Sequence, residues 1–428
     1  MSPRKAPSKR PTPAPKRRAG RARPPANDEL RSITTRGVIE IVPEREFLDA
    51  LTSGRKLRLK LGLDPSKPDL HIGHGILLRK LRLLQELGHQ VVLIVGDWTA
   101  QIGDPSGQSV TRPMLSAEEV RANAETYMRQ FFHVVDKKRT EVRWQSEWFD
   151  EFSLADVIRL TGRFTVAQML QREDFRKRFD AQQPLGIHEL LYPLLQAYDS
   201  VAIEADVEFG GSDQLFNLLV GRELQQAMSQ RPQIVFVMRL LVGPDGAQKM
   251  TKSLGNTIDF EDPPSEQYGK TMSVPDSALP DYLELATDLP DEEVAYLLRQ
   301  LQERAVNPME VKKRVAREIV AQFHGEAVAQ EAEREFERTF QQGELPEDVA
   351  EYPLSFAAEE TTADLATLLA QAKVTASRSE ARRLLAQGAI EVDGVRANSL
   401  RPPLRPGSII RVGKHRFLRI VDAGEKRS

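Results

Sequence analysis

The 428-residue chain is long for one domain, since a domain usually takes about 100 to 200 residues. Its 40% hydrophobic and 29% charged residues describe a globular protein, and 26 Gly and 27 Pro exclude collagen-like and low-complexity classes. It has no Cys for disulfides or thiolate metal sites, and no apolar run approaches the roughly 20 residues that cross a membrane. We therefore expect a cytoplasmic protein that does not act at a membrane.

The net charge of −2 conceals a strong asymmetry along the chain. Residues 1–27 carry nine Lys/Arg and no acid, and residues 361–428 carry thirteen Lys/Arg against six Asp/Glu, which leaves −18 for residues 28–360. Basic segments that flank an acidic body are typical of proteins with a polyanionic partner. Nucleic acid is therefore the first partner to consider.

Residues 1–34 are predicted to form a disordered basic tail. Up to residue 27 they combine Pro with Arg and Lys, and after Met1 their only apolar residues are Ala and Pro. A solvated tail, an arm that contacts nucleic acid and an organelle-targeting peptide are all compatible with this composition.

Residues 35–262 are predicted to alternate strands and helices. Residues 57–63 have the pattern of a strand, 72–87 that of a helix, and 90–95 that of a buried strand. Such a βαβ unit predicts an α/β fold with a Rossmann-like, doubly wound parallel sheet. Ligands of such sheets bind outside the carboxyl ends of the strands.

The remaining chain is predicted to contain three parts. Residues 263–345 should form an α-helical domain, because apolar residues recur at every fourth position from Val311 to Phe323. Residues 346–361 are acidic and contain Pro, as linkers do. Residues 362–428 have the pattern of a small α+β domain.

Two short motifs could bind phosphate. His71 and His74 flank Gly73 at a predicted helix start, where free backbone N–H groups and the helix dipole favour anions. Lys249 and Lys252 follow a glycine-containing turn and could place two point charges on a polyphosphate. Either motif alone is compatible with a structural role, but both together favour a nucleotide site.

A third group of polar residues could bind an amino acid. A zwitterion needs an acceptor for its ammonium group, and a buried phenol needs a polar partner for its hydroxyl. Suitable side chains occur at Asp104, Tyr192, Gln196, Asp199, Asp213 and Gln214.

These motifs resemble a known family. The sequences HIGH (71–74) and KMTKS (249–253) resemble the two signatures of class I aminoacyl-tRNA synthetases, although Thr251 stands where Ser is usual. The segments YPLLQAYD, GGSDQ, IGDPSG and VAQML, at residues 192–199, 210–214, 102–107 and 166–170, are similar to bacterial-type tyrosyl-tRNA synthetases. The resemblance extends from about residue 35 to the C-terminus.

The resemblance implies a tyrosine–tRNA ligase. Such enzymes activate L-tyrosine with ATP to tyrosyl-adenylate and pyrophosphate, and then transfer tyrosine to the 3′-terminal adenosine of tRNA(Tyr). It also implies Mg²⁺ on the ATP phosphates, no metal site in the protein, and a homodimer formed through an insertion in the catalytic domain. Residues 263–345 would bind the anticodon region.

The resemblance also assigns roles residue by residue. The catalytic residues would be His71, His74, Lys249 and Lys252. The ATP site would comprise these four with Gly62, Asp64, Ser66, Gly73, Gly211, Asp213 and Ser253. The tyrosine site would comprise Lys60, Asp104, Tyr192, Gln196, Asp199 and Gln214. Lys60 stands where many members have Tyr, and its ammonium is expected to donate to the tyrosine hydroxyl or to pair with Asp199.

The C-terminal domain has its own functional pattern. Residues 377–380 form a capping-box sequence that opens a helix ending near Gly388, and this helix carries Arg378, Arg382 and Arg383. Arginines in a basic domain favour RNA binding over a merely solvated face. The domain resembles a small RNA-binding fold shared by a ribosomal small-subunit protein and bacterial tyrosyl-tRNA synthetases.

Two other functions remain open at this point. Tryptophan activation is the nearest alternative within the class; Lys60 keeps it open, although tryptophanyl enzymes ordinarily lack the C-terminal domain. A catalytically silent RNA-binding relative is the second alternative, and the intact His and Lys pairs disfavour it.

Overall fold

The computed structural model describes residues 21–66, 69–106, 115–252, 254–340, 349–356, 361–413 and 416–423, with the backbone alone at 339–340. The chain divides into two compact units, with the boundary in the sequence between Ala329 and Gln330. Each unit is described separately. Among the described helices, none has the length and apolarity needed to cross a membrane.

A six-stranded sheet forms the centre of the first unit. Its strands are β1 (Val38–Val42), β2 (Arg58–Leu63), β3 (Gln90–Val95), β4 (Thr140–Trp144), β5 (Val207–Gly211) and β6 (Ile234–Met238). The order is β1-β6-β5-β2-β3-β4, and all neighbours are parallel except β1 and β6. The strand order reverses between β2 and β5, which is where doubly wound sheets bind their ligands. The predicted fold class is confirmed.

Helices cover this sheet and continue beyond it, and the last of them crosses the boundary between the two units. They are α1 (Asn27–Thr35), α2 (Glu44–Thr52), α3 (Ile72–Glu86), α4 (Thr99–Ile102), α5 (Ala117–Val134), α6 (Ser146–Phe149), α7 (Leu154–Thr161), α8 (Val166–Met169), α9 (Glu173–Asp180), α10 (Ile187–Ala202), α11 (Leu215–Ala227), α12 (Pro264–Met272), α13 (Leu279–Ala286), α14 (Asp291–Gln302), α15 (Pro308–His324) and α16 (Glu326–Phe340). Short 3₁₀ turns lie at Lys137–Arg139 and Ser212–Gln214.

The residue pattern explains the central elements. Five successive residues of β3, Val91 to Val95, are buried, as expected for a strand with helices on both faces. In α15, Val311, Val315 and Ile319 are buried on one face. The helices α13 to α15 share their hydrophobic core with the sheet. Gly325 adopts φ of +88° between α15 and α16, so that the C-terminal part of the predicted helical domain is two helices.

The prediction of a disordered tail is wrong for residues 21–34. Arg21 forms a β-bridge with Arg55, and the Ala22 N–H donates to the Gly54 carbonyl at 2.9 Å. The helix α1 follows, and its Ile33 is completely buried in the main core. Packing of a few apolar residues thus outweighs the polar composition of the segment. Residues 1–20 lie outside the described residues.

The second unit contains a five-stranded sheet. The strands of the unit are β7 (Ala350–Leu354), β8 (Thr361–Thr362), β9 (Ile390–Val392), β10 (Val395–Arg396), β11 (Pro403–Leu404), β12 (Ile409–Val412) and β13 (Arg416–Asp422), and its helices are α17 (Leu365–Gln371) and α18 (Arg378–Ala386). The order is β10-β9-β12-β13-β7, while β8 and β11 form a separate pair.

Two of the sequence predictions concern residues of this second unit. The N-cap half of the predicted capping box is confirmed, because Ser377 Oγ accepts from the Glu380 N–H at 3.2 Å, and Gly388 ends the helix region with φ of +67°. The Glu380 carboxylate instead accepts from the Ala376 N–H at 2.7 Å, one residue before the N-cap. The prediction of a linker over residues 346–361 is wrong for β7, which pairs in parallel with β13 and packs Tyr352 and Leu354 against the core. Residues 346–348 and 357–360 lie outside the described residues.

Candidate active site

A cavity of about 580 Å³ opens at the carboxyl ends of the parallel strands of the first unit. It lies beside the ends of β2 and β5, at the reversal of strand order. The predicted site residues that line it are Gly62, Asp64, Ser66, His71, Gly73, His74, Asp104, Tyr192, Gln196, Asp199, Gly211, Asp213, Gln214, Lys249 and Lys252. The structure therefore brings together residues that are up to 190 positions apart. Ser253 lies outside the described residues.

The two histidines meet at the start of α3. His71 is the N-cap residue, and its backbone N–H donates to Nδ1 of His74 at 3.2 Å. The two ring centroids are 4.0 Å apart. A Cβ at Gly73 would lie 2.9 Å from Nδ1 of His71, so only glycine leaves the first imidazole in this position. Because Nδ1 of His74 accepts, its Nε2 carries the proton and can donate to a ligand.

Both imidazoles are neutral at physiological pH. Burial is the main cause that holds the pKa of His71 well below its usual range, and His74, Lys252 and Lys249 lower it further. Burial, followed by Lys249 and Lys252, lowers the pKa of His74 to about 4. The histidines can therefore offer N–H donors to a phosphate, whereas the positive charge must come from the lysines.

The lysines of the second motif lie at the mouth of the cavity on the loop after β6. Lys249 forms a β-bridge with Val242, and its Nζ lies 2.5 Å from Oδ2 of Asp213. Lys252 Nζ lies 2.7 Å from Asp259 Oδ2 and 3.1 Å from Asp69 Oδ2. Each ammonium thus has carboxylate partners that polyphosphate oxygens could replace.

At the deep end of the cavity, Asp199 is buried on α10. Its Oδ2 accepts from Gln145 Nε2 at 2.8 Å, and its Oδ1 has no hydrogen-bond partner. Burial is the main cause that raises the pKa of Asp199 to about 7, and Lys60 and Gln145 oppose this shift. A buried acceptor without a partner is costly, by about 1–3 kcal/mol, unless a ligand supplies a donor.

Between these two ends lies a group of acceptors. Tyr192 donates its hydroxyl to Asp64 Oδ2 at 2.8 Å. Asp104 Oδ2 accepts from Gln214 Nε2 at 2.8 Å, while Gln196 faces the cavity from α10. Carboxylate, phenol and amide oxygens arranged in this way can accept the three N–H donors of an ammonium group.

Lys60 differs from its predicted role. Its side chain is completely buried on β2 and does not line the cavity. All three N–H donors are occupied, by the Gln196 carbonyl at 2.7 Å, Ser200 Oγ at 2.7 Å and Glu208 Oε1 at 2.9 Å. The expectation that Lys60 donates to the substrate hydroxyl or pairs directly with Asp199 is therefore wrong, because no donor remains for either.

The sequence predictions missed three residues of this site. Gln145 holds Asp199 and also accepts from the Thr99 backbone N–H at 2.9 Å, and the Thr99 hydroxyl lies 2.7 Å from Asp64 Oδ1. Gly96 leaves room for this contact, since a Cβ there would overlap both Asp64 and Thr99. Gly96 and Gln145 directly follow β3 and β4, so the rule that ligands bind at the carboxyl ends of strands could have found them.

The predicted RNA-binding residues belong to the second unit. Arg378, Arg382 and Arg383 are exposed on α18. Glu380 of the same helix pairs with Arg416 Nη1 at 3.2 Å, so this acid is engaged elsewhere. The three guanidinium groups are therefore accessible to phosphate.

The doubly wound sheet and the paired His and Lys motifs define the class of protein. Residues 52–341 match the family described as tRNA synthetases class I (W and Y), and residues 344–420 match the tyrosine–tRNA ligase SYY-like C-terminal domain. Tyrosine–tRNA ligase of Dehalococcoides mccartyi is 55% identical over 92% of this chain and 99% of its own length. The tyrosine–tRNA ligase of Thermotoga maritima is 48% identical over 94% of this chain and 99% of its own length. Within class I, this chain belongs to the tyrosine–tRNA ligase family.

Solved structures agree on the fold. Tyrosyl-tRNA synthetase from Archaeoglobus fulgidus, complexed with L-tyrosine, superposes with a TM-score of 0.58 at 23% identity, over 71% of this chain and 98% of that one. The C-terminally truncated mitochondrial tyrosyl-tRNA synthetase of Aspergillus nidulans superposes with a TM-score of 0.62 at 22% identity, over 74% of this chain and 95% of that one.

Proposed function

We propose that this chain activates L-tyrosine with ATP and then transfers it to tRNA(Tyr). The observation that carries the proposal is the pairing of two features in one cavity. Its deep end holds an unpartnered carboxylate oxygen, Asp199 Oδ1, and its mouth holds the His71, His74, Lys249 and Lys252 cluster. A phenol donor satisfies the first feature, and a triphosphate satisfies the second.

In the first step, a carboxylate oxygen of tyrosine attacks the α-phosphorus of ATP. A bond between that oxygen and phosphorus forms, the bond to the bridging oxygen breaks, and pyrophosphate leaves with the electron pair. The chain needs no covalent nucleophile; it aligns the two substrates and stabilises charge. Lys249 and Lys252 would neutralise charge on the leaving phosphates, and His71 and His74 would donate N–H groups to phosphate oxygens.

The same set of residues accounts for the remaining ATP contacts. Ser66 and Gly62 line the cavity beside His71, and Gly211 with Asp213 lies where β5 ends, opposite Lys249. We assign Asp213 and Gly211 to the ribose, and Gly62 and Asp64 to the adenylate. Ser66 would contact the γ-phosphate, as would His71.

Mg²⁺ would enter with ATP as part of the substrate. Within the described residues, no group of three or more His, Asp or Glu side chains could hold a metal ion. Mg²⁺ commonly binds through substrate phosphates and few protein ligands, which fits this site. The ion supplies charge neutralisation on the phosphates.

In the second step, a ribose hydroxyl of the terminal adenosine attacks the carbonyl carbon of tyrosyl-adenylate. The ester bond forms, AMP leaves, and the hydroxyl proton is released. The tRNA body would bind elsewhere, with Arg378, Arg382 and Arg383 on its phosphates and residues 263–345 near the anticodon region. We assign this reaction to the cytoplasm, as the sequence prediction does.

An exposed apolar group supports a homodimer. Between residues 154 and 187, five large apolar side chains are 56–80% exposed: Leu154, Ile158, Val166, Phe179 and Ile187. Exposed apolar residues concentrated in one insertion are typical of an interface. Leu154→Glu combined with Ile187→Glu should yield monomers in sedimentation experiments, whereas Val395→Glu, at an equally exposed apolar residue of the second unit, should not.

Charging of tRNA tests the proposal. The purified chain, given ATP, Mg²⁺ and total tRNA, should attach labelled tyrosine and leave labelled tryptophan free. Charging with tryptophan, or no charging with either amino acid, would reject it.

A further inference from the structure

The ion pair between Lys60 and Glu208 has no role in the proposed mechanism. Their side chains are 0% and 1% exposed, and Lys60 Nζ lies 2.9 Å from Glu208 Oε1. Buried charges are expensive to desolvate, and apolar residues of similar size are often at least as stable. The pair lies directly behind Gln196, a residue of the amino-acid site.

Glu208 is surrounded by donors only. Its Oε1 accepts from Lys60 Nζ and from Gln196 Nε2 at 3.1 Å, and its Oε2 accepts from Ser200 Oγ at 3.1 Å and from Gln233 Nε2. An ionised carboxylate can accept hydrogen bonds but cannot donate them. Gln196 must therefore turn its NH₂ group towards Glu208.

This requirement fixes the other end of the Gln196 amide. With Nε2 on Glu208, Oε1 points to the opposite side, where Asn217 Nδ2 donates to it at 3.1 Å. Asn217 is itself oriented by Arg172, whose Nη1 donates to Oδ1 of Asn217 at 3.1 Å. A guanidinium group donates only, so that both neighbours of Gln196 favour the same amide orientation.

We propose that Lys60 and Glu208 are positioning residues that hold the Gln196 amide with its carbonyl oxygen towards the ammonium group of bound tyrosine. Lys60 also holds the Gln196 backbone carbonyl at 2.7 Å, so it anchors this turn of α10 as well. If the amide reversed, its N–H groups would face the ammonium and repel it. The inference rests on the proposed function, because it assigns Gln196 to the ammonium group of tyrosine.

Two matched double variants test this role. K60M/E208M removes both charges and the acceptor for Gln196, whereas K60M/E208Q removes both charges but keeps a carbonyl oxygen at residue 208. Neither variant leaves an unpaired buried charge, which single substitutions would do. Thermal unfolding should show that both variants fold.

The readout is a comparison of two ligands by calorimetry. L-tyrosine has the ammonium group, and 3-(4-hydroxyphenyl)propionate lacks it. In K60M/E208M, the Kd of tyrosine should rise about tenfold, as for loss of a charge-assisted contact, while the Kd of the propionate stays unchanged. In K60M/E208Q, the Kd of tyrosine should rise only about threefold, because the acceptor for the Gln196 side chain remains although the Lys60 contact to the Gln196 backbone is lost.

A second buried ion pair provides the control. Arg178 and Glu189 are 3% and 4% exposed, and Glu189 lies on α10 two turns before Gln196. R178M/E189M should leave the ratio of the two Kd values unchanged.

Three results would overturn the inference. They are unchanged tyrosine binding in K60M/E208M, equal weakening of both ligands, and equal effects of the Met and Gln variants at residue 208. Failure of the proposed function looks different, because the parent chain would then not activate tyrosine.

Discussion

Gln145 Nε2 donates to Asp199 Oδ2 at 2.8 Å and leaves Oδ1 of the same carboxylate without a partner at the deep end of the cavity. The bond fixes the carboxylate plane, so that the free oxygen can meet a phenol hydroxyl. A site that hydrogen-bonds the tyrosine hydroxyl rejects phenylalanine, because its buried polar group would then stay unpaired. Selection of tyrosine over phenylalanine is the established example of this kind of discrimination.

The raised pKa of Asp199 predicts a pH dependence of tyrosine activation. The carboxyl group, with a pKa of about 7, is mostly ionised only above that pH, and the ionised form is the stronger acceptor for the phenol. The kcat/KM for tyrosine in ATP–pyrophosphate exchange should therefore rise between about pH 6 and pH 8. His74, with a pKa of about 4, stays neutral throughout this range. In D199N, kcat/KM for tyrosine should not change over this pH range. If it rose as in the parent chain, the pH dependence would belong to another group.

The raised pKa of Asp199 also predicts that the stability of the folded chain depends on pH. Folded Asp199 retains a proton up to about pH 7, whereas an unfolded Asp loses it near pH 4. The folded state binds more protons in this window, so the contribution of Asp199 to stability falls as pH rises from about 4 to 7. D199N should therefore raise Tm more at pH 8 than at pH 5. An equal change of Tm at both values would contradict the shift.

Replacement of His74 should slow adenylate formation. H74A removes one N–H donor from the phosphate site, and loss of one such donor typically lowers kcat by about 10²–10³. Because His74 is neutral, the loss should be nearly constant between pH 6 and pH 8. Affinity for tRNA should stay near the parent value. H133A is the matched control at an exposed position on α5 and should keep full exchange activity.

Lys252 should act through its charge on ATP. K252A should lower the rate of exchange by about 10² or more, with the KM for tyrosine within about threefold, because the amino-acid site is separate. K270A is the matched control, since Lys270 also pairs with two carboxylates, Asp262 and Glu266, each at 2.8 Å. If K270A lost as much exchange activity as K252A, the loss in K252A would be due to a disturbed structure and not to a missing charge on ATP.

The arginines on α18 should bind tRNA phosphates. Replacing Arg378, Arg382 and Arg383 together by Ala should weaken tRNA binding and reduce the slope of log K against log salt by about 1 per lost contact. Tyrosine-dependent exchange should not change. Replacement by Lys keeps the charge but loses the paired donors, so the slope should recover more fully than the affinity. An unchanged slope in the Ala variant would remove these residues from the interface.

Local patterns made the centre of the fold predictable. The strand β2 alternates apolar residues, the helix α3 repeats them at helical spacing, and the strand β3 has a continuous apolar run. The first phosphate motif lies at the start of α3, and the second lies in the loop after β6. For that reason the sequence predicted the doubly wound sheet and the group of residues around His71 and Lys252.

Long-range contacts explain what the sequence did not predict. The strand β7 forms only because residues 350–354 pair with residues 418–422. Lys60 is buried because Glu208 reaches it from another strand, and the residue between them in the network, Gln196, lies on a third element. Gln145, which directly follows β4, contacts Asp199 on α10. None of these pairings leaves a periodic signal in its own segment.

Amino-acid-dependent ATP–pyrophosphate exchange tests the central claim most directly. The purified chain is incubated with ATP, Mg²⁺, labelled pyrophosphate and one amino acid at a time, without tRNA. We predict rapid exchange with L-tyrosine, and exchange near background with phenylalanine and tryptophan. Exchange driven by tryptophan, or equally by phenylalanine, would contradict the assignment of Asp199 Oδ1 to the tyrosine hydroxyl.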